Sequence, residues 1–179
     1  MNVCPNGNYI AGCADGTIYL YSNTGFLVKM LRWHSMAVLG VKVFGDGRMV
    51  STSKDCKAVI WSPEGECINL IDYHTDVPLG LAICSTGCLA TCDLSGVMFL
   101  WEDPSREKDP TQKTQGHEKK ISCVAVRGSN QFITASLDMT LKVWDIPPTD
   151  GTAGAAAGPY PHGGCRAVPA CAVGLLKPK

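Results

Sequence analysis

The chain has no excess of charge of either sign, because sixteen basic residues balance sixteen acidic ones and only 18% of positions are charged. A broad basic surface for nucleic acid or anionic lipid is therefore not expected, and neither is an acidic surface for a cationic partner. No run of about eighteen apolar residues occurs, so no membrane-spanning helix is expected. The opening MNVCPNGNYIAG has no basic stretch followed by an apolar one, which argues against a secretory leader. There is no Gly-x-Ser-x-Gly elbow. The glycines, including Gly45 and Gly47 around Asp46, match no phosphate-binding loop.

What is present describes a globular chain. Hydrophobic residues make up 45% of 179 positions, enough for one domain of ordinary size. Ten cysteines would suit a secreted disulfide framework, but most fall inside strand-like runs of a mid-sized chain. That placement favours reduced thiols and a cytoplasmic or nuclear setting.

The organising stretch is GHEKKISCVAVRGSNQFITASLDMTLKVWD, residues 116–145, with three short apolar runs between turn-type residues. It opens on Gly-His and closes on Trp-Asp, and both ends recur. The closing aromatics Tyr21, Trp61, Trp101 and Trp144 are 40, 40 and 43 residues apart, and the opening histidines His34, His74 and His117 are 40 and 43 apart. An acid stands six residues before the aromatic at Asp15, Asp55 and Asp138; in the third unit Ser95 stands there and Asp93 is two residues early. Two markers that keep step, the aromatic over four units and the histidine over three, are a repeat.

The pattern resembles the WD-repeat (WD40) family, whose propeller blades carry those dipeptides. The resemblance implies an all-β fold of WD-repeat β-propeller blades, about three and a half four-stranded antiparallel ones. The units are expected at about 1–31, 34–72, 74–115 and 117–146, together a region 1–146. A Gly/Ala/Pro-rich flexible tail, 147–179, would follow. In the third unit DPSREKDPTQKTQ is too polar and proline-rich for a strong fourth strand, which is expected to be weak or absent. The fourth strand of the last unit is expected to be missing. Propellers close with about four to eight blades, so the chain reads as a partial or truncated propeller, a fragment or short isoform of a longer protein. Its partners would then include the remaining blades of that parent or a second chain.

Within a blade, the family's His, second-strand Ser or Thr, Asp and Trp form a hydrogen-bonded network. The matching residues are His34, Ser51, Asp55 and Trp61, and His117, Thr134, Asp138 and Trp144. A buried indole N–H needs an acceptor, and an imidazole needs its tautomer fixed. Ser53 and Ser136 face the same side as Ser51 and Thr134 and compete for the hydroxyl role. The third unit keeps His74, Thr91 and Trp101 but has Ser95 in place of the acid, so it is expected to be less rigid. Ser, His and Asp together suggest a hydrolase triad, but repetition at blade period favours scaffolding.

Cys84, Cys88 and Cys92 raise a zinc reading, with His74 as a further ligand. The spacing lacks close pairs, and strand cysteines behave as small hydrophobes, so no metal and no cofactor is expected. Cys165 and Cys171 read as free thiols. The resemblance implies a non-catalytic interaction scaffold for proteins or peptides, without nucleic-acid or membrane binding. Its binding rim would include Met36, Lys54, Leu94, Lys119 and Leu137. The alternative is a targeting or regulatory domain of a multidomain enzyme, such as a ubiquitin-ligase substrate receptor.

Overall fold

The computed structural model describes residues 1–129 and 131–146, together with the backbone of Cys165–Val168. These residues form strands and turns without a helix. The first sheet contains β1 (Asn2–Val3), β2 (Tyr9–Gly12), β3 (Thr17–Tyr21) and β4 (Leu27–Arg32), and the second β5 (Val38–Val43), β6 (Met49–Ser53), β7 (Ala58–Trp61) and β8 (Cys67–Ile71). The third contains β9 (Pro78–Ile83), β10 (Leu89–Asp93), β11 (Val97–Trp101) and β12 (Gln112–Gln115). The fourth contains β13 (Ile121–Arg127), β14 (Gln131–Ser136), β15 (Leu141–Asp145) and β16 (Cys165–Val168). Strands are adjacent in chain order within each sheet, and every neighbouring pair is antiparallel. The architecture is a partial propeller of four sheets.

Turn chemistry sets these meanders. Asp15 accepts the Thr17 amide at 2.8 Å, and Gly16 follows it in the left-handed region at φ 85°. A Cβ on Gly16 would lie 2.5 Å from the His34 carbonyl oxygen, and one on Gly96 2.4 Å from that of His117. Glycine is thus required there twice over, by backbone conformation and by space. The same turn position carries Cys56 at φ 64° and Met139 at φ 66°, a conformation that costs a non-glycine residue roughly 1–2 kcal/mol.

A single sheet cannot bury its own faces, and three apolar seams solve that problem. Ile10, Ile18, Leu20 and Leu31 of the first sheet pack on Met49, Val59 and Trp61 of the second. Phe44, Val50, Ile60 and Ile71 then meet Leu89, Phe99 and Trp101, and Ala90, Met98 and Leu100 meet Ile121, Phe132 and Trp144. Each such aliphatic or aromatic side chain contributes roughly 1.5–3 kcal/mol by leaving water. The alternation along each strand is what allows a sheet to bury one face forward and one face backward. The innermost strands β1, β5, β9 and β13 converge on a cavity of about 410 Å³ lined by Asn2, Val43, Ile83 and Val126 among others. Among the described residues β5 packs on β9 and β9 on β13, and no comparable packing joins β13 to β1.

Two outer strands correct the sequence reading. β12 pairs with β11 over Val97↔Gln115 to Leu100↔Gln112, although its residues Gln-Lys-Thr-Gln are all polar. An outer edge is held by backbone hydrogen bonds and can leave its side chains in water, so apolar content is a poor guide there. The strand expected to be missing from the last sheet is supplied by Cys165–Val168, antiparallel to β15 from Trp144↔Cys165 to Leu141↔Val168. It lies outside the repeat period, which hid it. The remainder of 147–179, with the expectation of a flexible tail and the Cys171 reading, lies outside the described residues.

Candidate functional site

Two sheets carry a complete buried relay, and β-strand register builds it. In the second sheet the Trp61 indole N–H donates to Ser51 Oγ at 2.9 Å, and the Ser51 hydroxyl donates to His34 Nε2 at 2.8 Å. His34 Nδ1–H then donates to Asp55 Oδ2 at 2.9 Å. The fourth sheet repeats this with Trp144 to Thr134 Oγ1 at 2.8 Å, Thr134 to His117 Nε2 at 2.7 Å, and His117 to Asp138 Oδ2 at 2.9 Å. Ser51 and Thr134 are thus the hydroxyls in contact with histidine. Ser53 and Ser136 instead donate to the Met36 and Lys119 carbonyls, each at 3.0 Å, and tie the turn to the histidine loop.

The carboxylates are held ionised by these partners. Burial pushes the Asp55 carboxyl up, but hydrogen bonds from His34 and from the Ser35 and Lys57 amides outweigh it and leave it below the usual range. Asp138 follows the same balance, with Thr140, His117 and the Thr140 and Glu118 amides overcoming desolvation. Thr140, whose Oγ1 is also 3.0 Å from His117 Nδ1, was not legible as a member.

The third sheet departs, and the acid is Asp93, not a gap filled by Ser95. Asp93 ends β10, fully buried, with Oδ2 at 3.5 Å from His74 Nδ1. Its Oδ1 accepts from the Ser95 hydroxyl at 2.5 Å and from the Ser95 and Val97 amides at 3.1 and 3.2 Å. Ser-x-Asp in the second and fourth sheets has become Asp-x-Ser here. Counting six residues back from Trp101 therefore lands on the serine. Burial raises the Asp93 carboxyl, and the His74, Ser95 and Val97 hydrogen bonds more than reverse it. Trp101 reaches Thr91 at only 3.3 Å, and His74 Nε2 is buried with no hydrogen-bond partner among the described residues. The first sheet has Tyr21 at the aromatic position, and Asp15 bonds its own turn.

Every hydroxyl and imidazole of the complete relays is spent internally, with both histidine side chains out of solvent. Among the described residues no group of three or more His, Cys, Asp or Glu is arranged to hold a metal ion. Cys84, Cys88 and Cys92 lie in the apolar seam between the third and fourth sheets. Burial pushes the Cys88 and Cys92 thiols up, away from the thiolate that zinc requires. No helix among the described residues is long and apolar enough to cross a membrane.

The residues expected at a binding rim lie where a turn meets a histidine loop. The Lys54 amide donates to Ala37 O at 2.9 Å, which sets Lys54 beside Met36, and the Leu137 amide donates to Lys120 O at 3.1 Å, which sets Leu137 beside Lys119. The Leu94 amide is fixed to Val77 O, and its side chain is half-buried. Met36 and Leu137 are 50% and 53% exposed. Met139, two residues beyond Leu137, is 80% exposed and was missed. The available signal was its place in the repeat, where the first and third units carry glycine.

The chain is similar to known proteins in sequence and in fold. The family model described as "WD domain, G-beta repeat" matches residues 1–22, 25–62 and 108–145. The chain is 28% identical over 161 residues to a ribosome biogenesis protein WDR12 homolog of Drosophila erecta and 27% identical to that of Drosophila yakuba. Each match covers 76% of this chain and 38% of the relative, so the chain spans well under half the length of those proteins. The computationally designed protein Ika8 superposes with a TM-score of 0.70 at 22% identity, over 78% of this chain and 43% of that one. That likeness concerns the fold.

Proposed function

We propose that this chain, which belongs to the WD-repeat family, is a non-catalytic scaffold that presents the Met36, Lys54, Leu94, Lys119 and Leu137 rim to a protein or peptide. The observation that carries the reading is the contrast between a sealed interior and an apolar rim. The Ser/Thr, His and Asp side chains of the two complete relays are saturated by one another, whereas Met36 and Leu137 stand in water beside turns pinned by backbone hydrogen bonds. Exposed apolar groups on a rigid frame lose little conformational entropy when covered, which suits recognition.

The relatives are named for ribosome biogenesis, and we carry that setting to this chain: its partner is a protein of a ribosome-assembly particle, met in the nucleus. The reading as a targeting domain of a multidomain enzyme has no observation in its favour. The test is co-sedimentation of the chain with such particles on a density gradient. Substituting Met36 and Leu137 together by Ser should release it while leaving thermal unfolding unchanged. Undiminished co-sedimentation of that variant would remove the rim from the argument, and absence of the wild-type chain from the particles would remove the setting.

A further inference from the structure

Cys84 and Cys88 bracket the turn between β9 and β10. Ile83↔Leu89 is the last pair of that ladder, and the next step sets Cys84 directly opposite Cys88, where the Cys84 amide donates to the Cys88 carbonyl at 2.9 Å. Gly87, at φ 92°, closes the turn. Residues paired in this way have Cα atoms about 5.5 Å apart, which is the separation that a disulfide prefers, about 5.5–6 Å. The backbone therefore already holds the two thiols at a bonding span. Among the described residues no other two cysteines are cross-strand partners: Cys67 faces Trp61, Cys92 faces Gly80 and Met98, and Cys123 faces Ala135.

Both side chains lie in the seam with Ile121 and Phe132, and they are 4% and 1% exposed. What covers them is the tip of their own hairpin. Thr86 Oγ1 is 2.9 Å from Cys84 Sγ and 3.4 Å from Cys88 Sγ, so one hydroxyl serves both sulfurs, while Ser85 and Thr86 themselves are exposed. Rotation of the Thr86 side chain is enough to open the pair to a small molecule. Burial, and behind it the adjacent Cys84 thiol, push the Cys88 thiol up against the opposing hydrogen bond from Thr86. Cys84 is then the sulfur that reacts first, and Cys88 the one that resolves it.

We propose that Cys84 and Cys88 form an oxidative modification site, at which a peroxide converts the two thiols into a cross-strand disulfide. The Cys84 sulfur attacks one peroxide oxygen, the O–O bond breaks, and the thiol proton leaves with the departing hydroxide as water, giving a sulfenic acid. The Cys88 sulfur then attacks Cys84, the S–O bond breaks, and the hydroxyl leaves with the Cys88 proton as a second water. Two thiols are oxidised and one peroxide is reduced. A dithiol reverses the step by exchange and becomes a disulfide itself.

The link releases Thr86 from both sulfurs and fixes the hairpin covalently. The loop it closes is short and already closed by backbone hydrogen bonds, so little stability changes with it. Cys88 precedes β10 and Leu94 follows it, so the site is at the far end of the sheet from the rim and stands apart from what the rim binds.

The experiment treats the folded full chain with hydrogen peroxide, blocks the remaining thiols, and examines the tryptic peptide 58–106 by fragment mass spectrometry. The peptide is expected to lose two hydrogens, to give no backbone fragments between Cys84 and Cys88, and to regain both hydrogens with dithiothreitol. Cys88→Ala should stop at a sulfenic acid on Cys84 that a trapping reagent captures, and Cys84→Ala should slow oxidation of the remaining thiol at least about tenfold. An unmodified peptide, a link to Cys67, Cys92 or Cys123, or accumulation of unlinked sulfinate on Cys84 overturns the proposal. Oxidation of Cys88 in Cys84→Ala at the wild-type rate overturns the assignment of Cys84 as the attacking thiol.

Discussion

The third sheet and its two neighbours contain the same four kinds of side chain, yet only the neighbours complete the relay. In the second and fourth sheets the acid sits in the turn, two residues past the strand, where its Oδ2 meets the histidine at 2.9 Å and also takes the Ser35 or Glu118 amide at 3.1 Å. In the third sheet the acid sits on the strand end, and the distance grows to 3.5 Å while Ser95 and Val97 occupy its other oxygen. The histidine follows the acid, and its far nitrogen loses the hydroxyl. Position along the backbone, rather than residue type, decides whether a buried polar set closes.

The largest test of that contrast removes the histidine from each kind of sheet. His34→Ala abandons an indole-linked serine and a carboxylate together and should cost about 3 kcal/mol. His74→Ala breaks a single long hydrogen bond and also removes a buried unpaired nitrogen, so about 1 kcal/mol is expected. Denaturant midpoints of the two variants measure both, and equal losses would show that the distances do not govern the energetics.

A smaller effect comes from restoring the order. The double substitution Asp93→Ser with Ser95→Asp recreates Ser-x-Asp around Leu94 and should stabilise the chain by roughly 1 kcal/mol, one hydrogen bond's net worth. Loss of stability instead would mean that the strand-end carboxylate is required by the Val97 amide.

The gentlest test is pH. Asp55, Asp93 and Asp138 all have folded carboxyls held below their ordinary values. A group with a depressed folded pKa contributes stability above its unfolded pKa of about 3.9, and loses it as pH falls through the folded value. Stability should therefore be level near neutrality and decline below about pH 4. Asp55→Asn, already destabilised, should show a shallower decline, and an unchanged slope would exclude Asp55 as a contributor.

The repeat was legible because spacing is a one-dimensional property: Tyr21, Trp61, Trp101 and Trp144 mark equivalent strands wherever the chain goes, and the seams that bury them need apolar alternation visible in the residues. The hydroxyls Ser51 and Thr134 needed more, since Ser53 and Ser136 share their face and only distance separates histidine partner from carbonyl partner. β12 was hidden because an outer strand is selected by backbone pairing and Gln112–Gln115 carries no apolar residue, and β16 because Cys165–Val168 lies outside the repeat period. Asp93 was hidden because a count from Trp101 cannot tell which of two nearby side chains reaches inward.

By itself, then, the sequence determined the number and kind of repeated units, their turns and the side chains that stack between them, all of which follow from local propensity and period. Tertiary structure decided which hydroxyl and which carboxylate meet each histidine, and which polar or distant segments complete the sheets. Those depend on ångström-scale separations between residues about twenty positions apart, as between His74 and Asp93 at 3.5 Å or His34 and Asp55 at 2.9 Å, which only the packed backbone sets.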